Sequence, residues 1–274
     1  MSNEEMGDFL PRTDGYVERK MFGTTDVALL AKAWEHRQNV LIKGPTGTGK
    51  THAVRHVCFI NRLPYMRVGL NGATTPEQLI GQWVPFENGF RWQDGVLTSF
   101  IRNGGVFVCD EINAAPPEIL FVLHSILDDE RRIVLTQKDG EVVIAHKDFW
   151  FVATMNEGYA GTKPMNVALL DRFQVVLAFG YDDKVEKKLI KDDAIIKSIA
   201  KIRAAQDEFR MPASTRSFLE LQKNIGIHGK EAAYQFFLNR YNEEEAEVIR
   251  GVVDLHDETK RKAKPNAEDD GVSK

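Results

Sequence analysis

Cysteine is nearly absent: two residues, Cys58 and Cys109, occur in a chain of 274. Two thiols build no disulfide framework, and their spacing matches no metal motif, so a reducing cytoplasm is the expected compartment. No apolar run approaches the roughly 20 residues needed to cross a bilayer. The start, Met1-Ser2-Asn3-Glu4-Glu5, lacks the basic-then-apolar order of a secretion signal. Positive charge is not in excess, since 36 Lys and Arg stand against 40 Asp and Glu for a formal net charge of −4. That balance excludes a generally basic nucleic-acid coat, although a local basic groove stays compatible with it. Internal repeats are missing too. The usage that remains, 43% hydrophobic and 28% charged, is that of a globular chain able to bury a sizeable core without staples.

Short apolar runs alternate with helical spacing through the first two thirds of the chain. Residues 39–42, 64–70, 105–109, 149–154 and 173–179 read as buried strands. Residues 51–61 and 116–127 read as helices, the second with Pro116 and Pro117 suited to a first turn. Unbroken apolar strands separated by helices predict a parallel sheet covered on both faces. Beyond Gly180 the strand signals stop, and 182–255 carries helical spacing broken at 211–214 and at Gly226. The expected fold class is α/β followed by a small helical domain. Its divisions are a flexible start at 1–15, an α/β domain at 16–181, a helical domain at 182–256 and a charged, disordered tail at 257–274. Two stretches break the alternation. Asn88-Gly89 lies at the centre of 83–92, and Asp139-Gly140 lies within 132–144. Both dipeptides are two-residue turn signals, so each stretch predicts a β-hairpin projecting from the core.

Gly44-Pro45-Thr46-Gly47-Thr48-Gly49-Lys50-Thr51 has the spacing of a phosphate-binding loop. Its glycines let backbone N–H groups turn inward around phosphate oxygens, and the helix opening near Lys50 adds its positive end. Lys50 supplies a mobile charge to the outer phosphates and Thr51 a hydroxyl for Mg²⁺. The run Val106-Phe107-Val108-Cys109 ends in Asp110-Glu111, and strand carboxyl ends border the ligand crevice of such sheets. Asp110 is the expected Mg²⁺ holder and Glu111 the group that polarises the attacking water. Asn156 follows another apolar strand, placed to bond the γ-phosphate or that water. Phosphoryl transfer also needs positive charge against the γ-phosphate. The candidates are Arg172, at a helix-to-strand junction, and Arg216, at a helix start.

Together these stretches resemble an AAA+ ATPase of the MoxR type, nearest the CbbQ/NorQ branch and the related CobS-like cobaltochelatase subunits. Residues 44–51, 108–113, 153–159 and 169–173 carry the resemblance, which spans about 16–255. It implies a P-loop NTPase core with two hairpin inserts and a helical lid, using ATP and Mg²⁺. It makes Lys50 and Thr51 the Walker A residues, Asp110 and Glu111 Walker B, Asn156 sensor 1, Arg172 the arginine finger and Arg216 sensor 2. The hairpin at 83–92 matches the family's insert in its second helix, and the one at 132–144 its pre-sensor-1 hairpin. The preference for ATP over GTP rests on the resemblance alone. A hexameric ring is implied, as are a partner carrying a von Willebrand A domain and a client protein to be remodelled. Arg131 and Arg132 are further candidates for the cation acting in trans, and sensor 2 acts in cis or across the interface.

Other constellations carry less. His52 and His56 lie four apart on a helix without a third ligand at suitable spacing, so no metal is expected there. Cys109 reads as a small buried hydrophobe. Lys260-Arg261-Lys262 is offset by Glu268-Asp269-Asp270 and reads as a solvated tail. Trp83, Phe86, Phe90 and Trp92 leave two readings open, packing or a grip on a partner polypeptide. Two other function classes compete with protein remodelling. One is a nucleic-acid motor using Arg91, Lys138 and Lys147, against which stands the lack of a separate DNA-binding module. The other is a nucleotide-dependent scaffold without turnover, against which stand Glu111 and Asn156.

Overall fold

The apolar runs form the middle of one sheet. A computed structural model describes residues 6–11, 15–157, 165–205 and 209–252, and the chain divides into two units, 1–185 and 186–274. The first unit opens with a short hairpin, β1 (Lys20–Met21) and β2 (Thr24–Thr25), and helix α1 (Asp26–Glu35). Next come β3 (Val40–Lys43), α2 (Lys50–Ile60), β4 (Tyr65–Gly69) and the one-turn α3 (Pro76–Ile80). The hairpin strands β5 (Gly81–Phe86) and β6 (Gly89–Asp94) follow, then α4 (Val96–Asn103) and β7 (Gly105–Asp110). After α5 (Pro117–Leu127) stands a second hairpin, β8 (Arg132–Leu135) and β9 (Glu141–Ile144). The unit continues through β10 (Phe149–Met155), α6 (Val167–Leu170) and β11 (Val175–Ala178).

Five strands make the sheet, in the order β11-β3-β10-β7-β4, every neighbouring pair parallel. Side chains alternate between its faces, and both faces are covered. Phe107, Cys109, Phe149, Phe151 and Ala153 turn one way, against Leu97, Phe100 and Ile101 of α4 and Ile119, Leu123 and Ile126 of α5. Val106, Val108, Trp150 and Val152 turn the other way, against Val27 and Leu30 of α1 and Ala53, Val54 and Val57 of α2. This two-sided burial is why the strand sequences read as continuous apolar runs. The chain leaves β3 for β4 at the far edge and returns by β7 and β10. The carboxyl ends of β3, β10 and β7 therefore lie side by side.

Both hairpins exist, with turns displaced from the expected dipeptides. Phe86 pairs with Gly89, so the first turn is Glu87-Asn88, not Asn88-Gly89. The observed register sets Trp83 opposite Trp92, with ring centroids 5.8 Å apart, and Trp92 reaches the core. That packing outweighs the turn preference of Asn-Gly, and Glu87 adopts φ +47° in consequence. In the second hairpin Leu135 pairs with Glu141, leaving a five-residue loop that ends in Asp139-Gly140 at φ +50° and +71°. This register turns Ile133, Leu135 and Val143 inward together.

The second unit holds most of α7 (Asp183–Leu189), then α8 (Asp193–Ala204), α9 (Thr215–His228), α10 (Lys230–Leu238) and α11 (Glu243–Val252). Its core joins Ile195, Ile199, Phe218, Leu221, Phe237, Tyr241 and Ile249. The buried Glu186 carboxylate is satisfied by the Arg203 guanidinium, at 2.7 Å from Nη1, and by the Thr215 hydroxyl at 2.5 Å. Gly226 does not break a helix as expected. α9 runs through it and ends at His228, and the turn falls to Gly229 at φ +82°. Among the described residues no helix is long and apolar enough to cross a membrane. The expected tail at 257–274 lies outside the described residues, as do 1–5 and 12–14 of the expected flexible start.

Candidate active site

The loop of residues 44–51 connects β3 to α2, and its backbone favours glycine at three positions. Gly44, Gly47 and Gly49 have φ of +142°, +71° and +88°. A Cβ at Gly44 would fall on the Phe179 carbonyl oxygen. Around the loop stands a clamp that the sequence reading missed. Arg19 donates to the Thr48 carbonyl and, at 2.9 Å, to that of Gly180, with its guanidinium 5.1 Å above the Phe179 ring. Tyr181 donates to the Thr46 carbonyl at 3.1 Å, and Thr48 to that of Pro45 at 2.9 Å. The motif thus comes with its own scaffold, contributed by the segments before α1 and after β11.

Five of the expected site residues meet at the ends of the three adjacent strands. The buried Lys50 ammonium donates to Gly44 O and Pro45 O, both at 2.8 Å, and to Asn156 Oδ1 at 2.7 Å. Asn156 Nδ2 donates to Glu111 Oε1 at 2.9 Å. Thr51 Oγ1 donates to Asp110 Oδ1 at 2.9 Å. Glu111 leaves the strand in a left-handed turn, φ +59° and ψ +46°, which few non-glycine residues adopt. The turn aims its carboxylate at Asn156 while the backbone N–H of Glu111 donates to Thr154 Oγ1 at 3.2 Å.

Thr154, Arg67 and Asn113 complete the cluster without having been foreseen. The Thr154 hydroxyl donates to Asp110 Oδ1, and Arg67 donates to Asp110 Oδ2 through Nε at 2.8 Å and through Nη2. Asn113 Nδ2 holds the Asn156 carbonyl at 3.0 Å. Burial works to raise the Asp110 carboxyl, but the hydrogen bonds from Thr154, Arg67 and Thr51, with the Arg67 charge, outweigh it and hold it below its ordinary value. The signal that could have marked Arg67 is a lone cation inside the apolar run Tyr65-Met66-Arg67-Val68.

Within the first unit, Arg172, Arg131 and Arg132 bond partners outside this cluster. Arg172 follows α6 and bonds Asp128 Oδ1 at 2.5 Å and the Ala168 carbonyl at 2.6 Å. Arg131 is held by its own chain, donating to the Arg37 and Phe149 carbonyls, both at 2.8 Å. Arg132 pairs with Glu130 at 2.7 Å. Arg216 belongs to the second unit, exposed in the first turn of α9 behind the Ser214 cap. His52 bonds Arg55 at 2.6 Å, and both His52 and His56 lie against the Tyr16 ring. Cys109 is buried, which pushes its thiol up.

The donor set suits a nucleotide polyphosphate with Mg²⁺. Glycine-turned amides and an ammonium match phosphate oxygens, and the oxygens of Thr51 and Asp110 are the hard ligands that Mg²⁺ prefers. Comparison with known proteins agrees. Residues 39–173 match the model of the AAA domain, dynein-related subfamily. The denitrification regulatory protein NirQ of Stutzerimonas stutzeri is 34% identical over 200 residues, covering 69% of this chain and 72% of that one. Uncharacterised proteins of Staphylococcus haemolyticus and Staphylococcus aureus are each 32% identical. They cover 80% and 82% of this chain and 90% and 94% of their own lengths. With the phosphate loop, the acidic strand end and the parallel sheet in one unit, this chain belongs to the dynein-related AAA domain family of AAA+ ATPases.

Proposed function

We propose that the chain is an ATP-hydrolysing AAA+ protein of the MoxR type, working as a hexameric ring that remodels or activates a partner protein. One observation carries the catalytic part. Lys50, Asn156 and Glu111 form a continuous hydrogen-bonded chain beside Thr51 and Asp110, at the ends of three adjacent strands. The CbbQ/NorQ kinship rests on the sequence motifs at 44–51, 108–113, 153–159 and 169–173. The similarity of the chain to a denitrification regulatory protein supports a regulatory role. Two free, buried cysteines suit a cytoplasmic location.

Each residue has a task. Amides of residues 44–49 would cradle the phosphates. Lys50 would exchange the carbonyls of Gly44 and Pro45 for outer phosphate oxygens, keeping its charge at the end of the loop. Mg²⁺, when bound by Thr51 and Asp110, would neutralise charge on the outer phosphates. Glu111 would accept a hydrogen bond from the attacking water and take its proton, while Asn156 holds the carboxylate in place. Arg172, from a neighbouring subunit, would stabilise the charge that develops on the transferring phosphoryl group. Arg216 would answer to the γ-phosphate from the helical unit.

Two variants test this. Lys50→Ala should lose nucleotide affinity in equilibrium titration, because the outer phosphates lose their buried cation. Glu111→Gln keeps shape and hydrogen bonding and loses the base, so it should bind ATP normally and turn over at least about 100-fold more slowly. Tight binding by the first or full turnover by the second would remove the assignment.

A further inference from the structure

Four hydrogen bonds fill the Asp110 carboxylate. Oδ1 accepts from Thr51 at 2.9 Å and from Thr154, and Oδ2 accepts twice from Arg67. A carboxylate offers about four acceptor sites, so no lone pair is left over. The donors differ in kind. Thr51 opens α2 and Thr154 is buried in β10, and each hydroxyl is fixed by its backbone and can rotate. Arg67 is a permanent cation on a long stem, its side chain 53% exposed where that of Asp110 is 10% exposed. It stands on β4 in register with Val108, on the face that Asp110 occupies two residues on. A divalent cation seated between Thr51 and Asp110 would meet the guanidinium on the same carboxylate, and like charges at that separation repel strongly. Only Arg67 has solvent to retreat to.

We propose that Arg67 is the internal counter-ion of Asp110, held on Oδ2 beside the oxygen that faces Thr51, so that metal entry and departure of Arg67 are one exchange. The inference rests on the reading of Thr51 and Asp110 as the metal-holding pair. Arg67 keeps the carboxylate charge-balanced before loading and sets the free Mg²⁺ at which loading occurs. It acts on the metal through Asp110 and is a positioning residue, not a catalytic one.

The test reads binding, not turnover. A fluorescent ATP analogue is titrated into full-length protein at graded free Mg²⁺. Arg67→Met keeps the stem and loses the charge, and should lower the Mg²⁺ needed for half-maximal tightening about ten-fold, the scale of one charge-assisted pair. Arg67→Lys keeps a cation and should stay within about three-fold of wild type. An unchanged or raised Mg²⁺ requirement in Arg67→Met overturns the exchange. Should that variant fail to fold by circular dichroism, Arg67→Gln carries the same expectation. Arginine-selective ¹⁵N labelling of the wild type gives a further check that needs no variant. One hydrogen-bonded Nε–H signal should persist with ATP and EDTA and disappear on adding Mg²⁺, and persistence of every such signal overturns the proposal. Wild-type protein that binds no analogue at any Mg²⁺ concentration removes the nucleotide reading and this one together. Normal wild-type binding without a shift in the variants removes the exchange alone.

Discussion

Asn156 has one workable orientation. Lys50 can only donate, so it must face Oδ1, and the Glu111 carboxylate can only accept, so it must face Nδ2. The amide thereby links the Lys50 ammonium to the Glu111 carboxylate. Gly44 is as tightly specified, by backbone instead of side chain. Gly44→Ala adds a Cβ at φ +142° directly against the Phe179 carbonyl, and neither strand end can move without disturbing the buried pairing of β3 with β11. A loss of about 3–5 kcal/mol is expected in denaturant unfolding, with nucleotide binding abolished. A variant within 1 kcal/mol of wild type, by the same order-of-magnitude scale, would show that the Phe179 segment yields. At this scale legibility depended on whether a residue's role is local. Lys50, Thr51, Asp110, Glu111 and Asn156 are marked by their own neighbours in sequence. Arg67, Thr154 and Arg19 act on partners 43, 44 and 29 residues away, and apart from the apolar setting of Arg67 nothing beside them in the chain announces it.

Among the elements, the two hairpins form a connected pair. Trp83 Nε1 donates to the Gln137 carbonyl at 2.8 Å, and the Lys138 ammonium lies 5.9 Å from the Trp92 ring. Arg102 of α4 joins Asp94 at the foot of β6 to Glu141 of β9, both at 2.7 Å, and Lys138 adds a 2.8 Å bond to Glu141. Of the two readings of the aromatics, packing accounts for Trp83 and Trp92, whereas Phe86 is 45% and Phe90 72% exposed near the tip. Replacing Phe86 and Phe90 by Ala should leave the melting temperature and basal ATPase near wild type and reduce action on a client. A large fall in melting temperature would make them core after all. Hydrogen bonds from Arg102, then from Lys138, push the Glu141 carboxyl down from 4.5 to about 2, against a small opposing effect of burial. A depressed carboxyl stabilises the fold fully above its unfolded value and loses that contribution as pH falls towards the folded one. Glu141→Gln should therefore destabilise modestly at pH 7, by under about 1 kcal/mol for so exposed a group. Denaturant melts between pH 5 and 2 should show the gap closing, and a gap independent of pH would detach the network from Glu141. The existence of both hairpins was legible from turn dipeptides. Their registers were not, because tryptophan pairing and the inward set of Ile133, Leu135 and Val143 decide them.

For the whole molecule, a parallel sheet covered on both faces could be read from apolarity, since both faces are buried and no alternation interferes; its strand order is a finding of the structure. The place of Arg172 could not be read, because its partners Asp128 and Ala168 give no sign in the sequence of what the guanidinium is for. Within one protomer Arg172 is tied to Asp128 and Ala168, outside the Lys50 cluster. A cation acting in trans would have to leave or share these bonds to reach a neighbour's nucleotide. A head-to-tail contact that brings it to the next nucleotide closes into a ring when the rotation per subunit allows. Specific activity should then rise with protein concentration. Arg172→Ala should bind ATP almost normally and hydrolyse about 10³-fold or more slowly, since charge on the transferring group loses its counter-ion. Mixing separates a trans role from a cis one. Arg172→Ala and Glu111→Gln should each be inactive alone, but a mixed ring would contain interfaces that join an intact Glu111 to an intact Arg172. Activity that returns on mixing, in proportion to such interfaces, places the cation across the subunit boundary. Mixed rings confirmed by native mass spectrometry that stay inactive place Arg172 in its own subunit's site or outside catalysis.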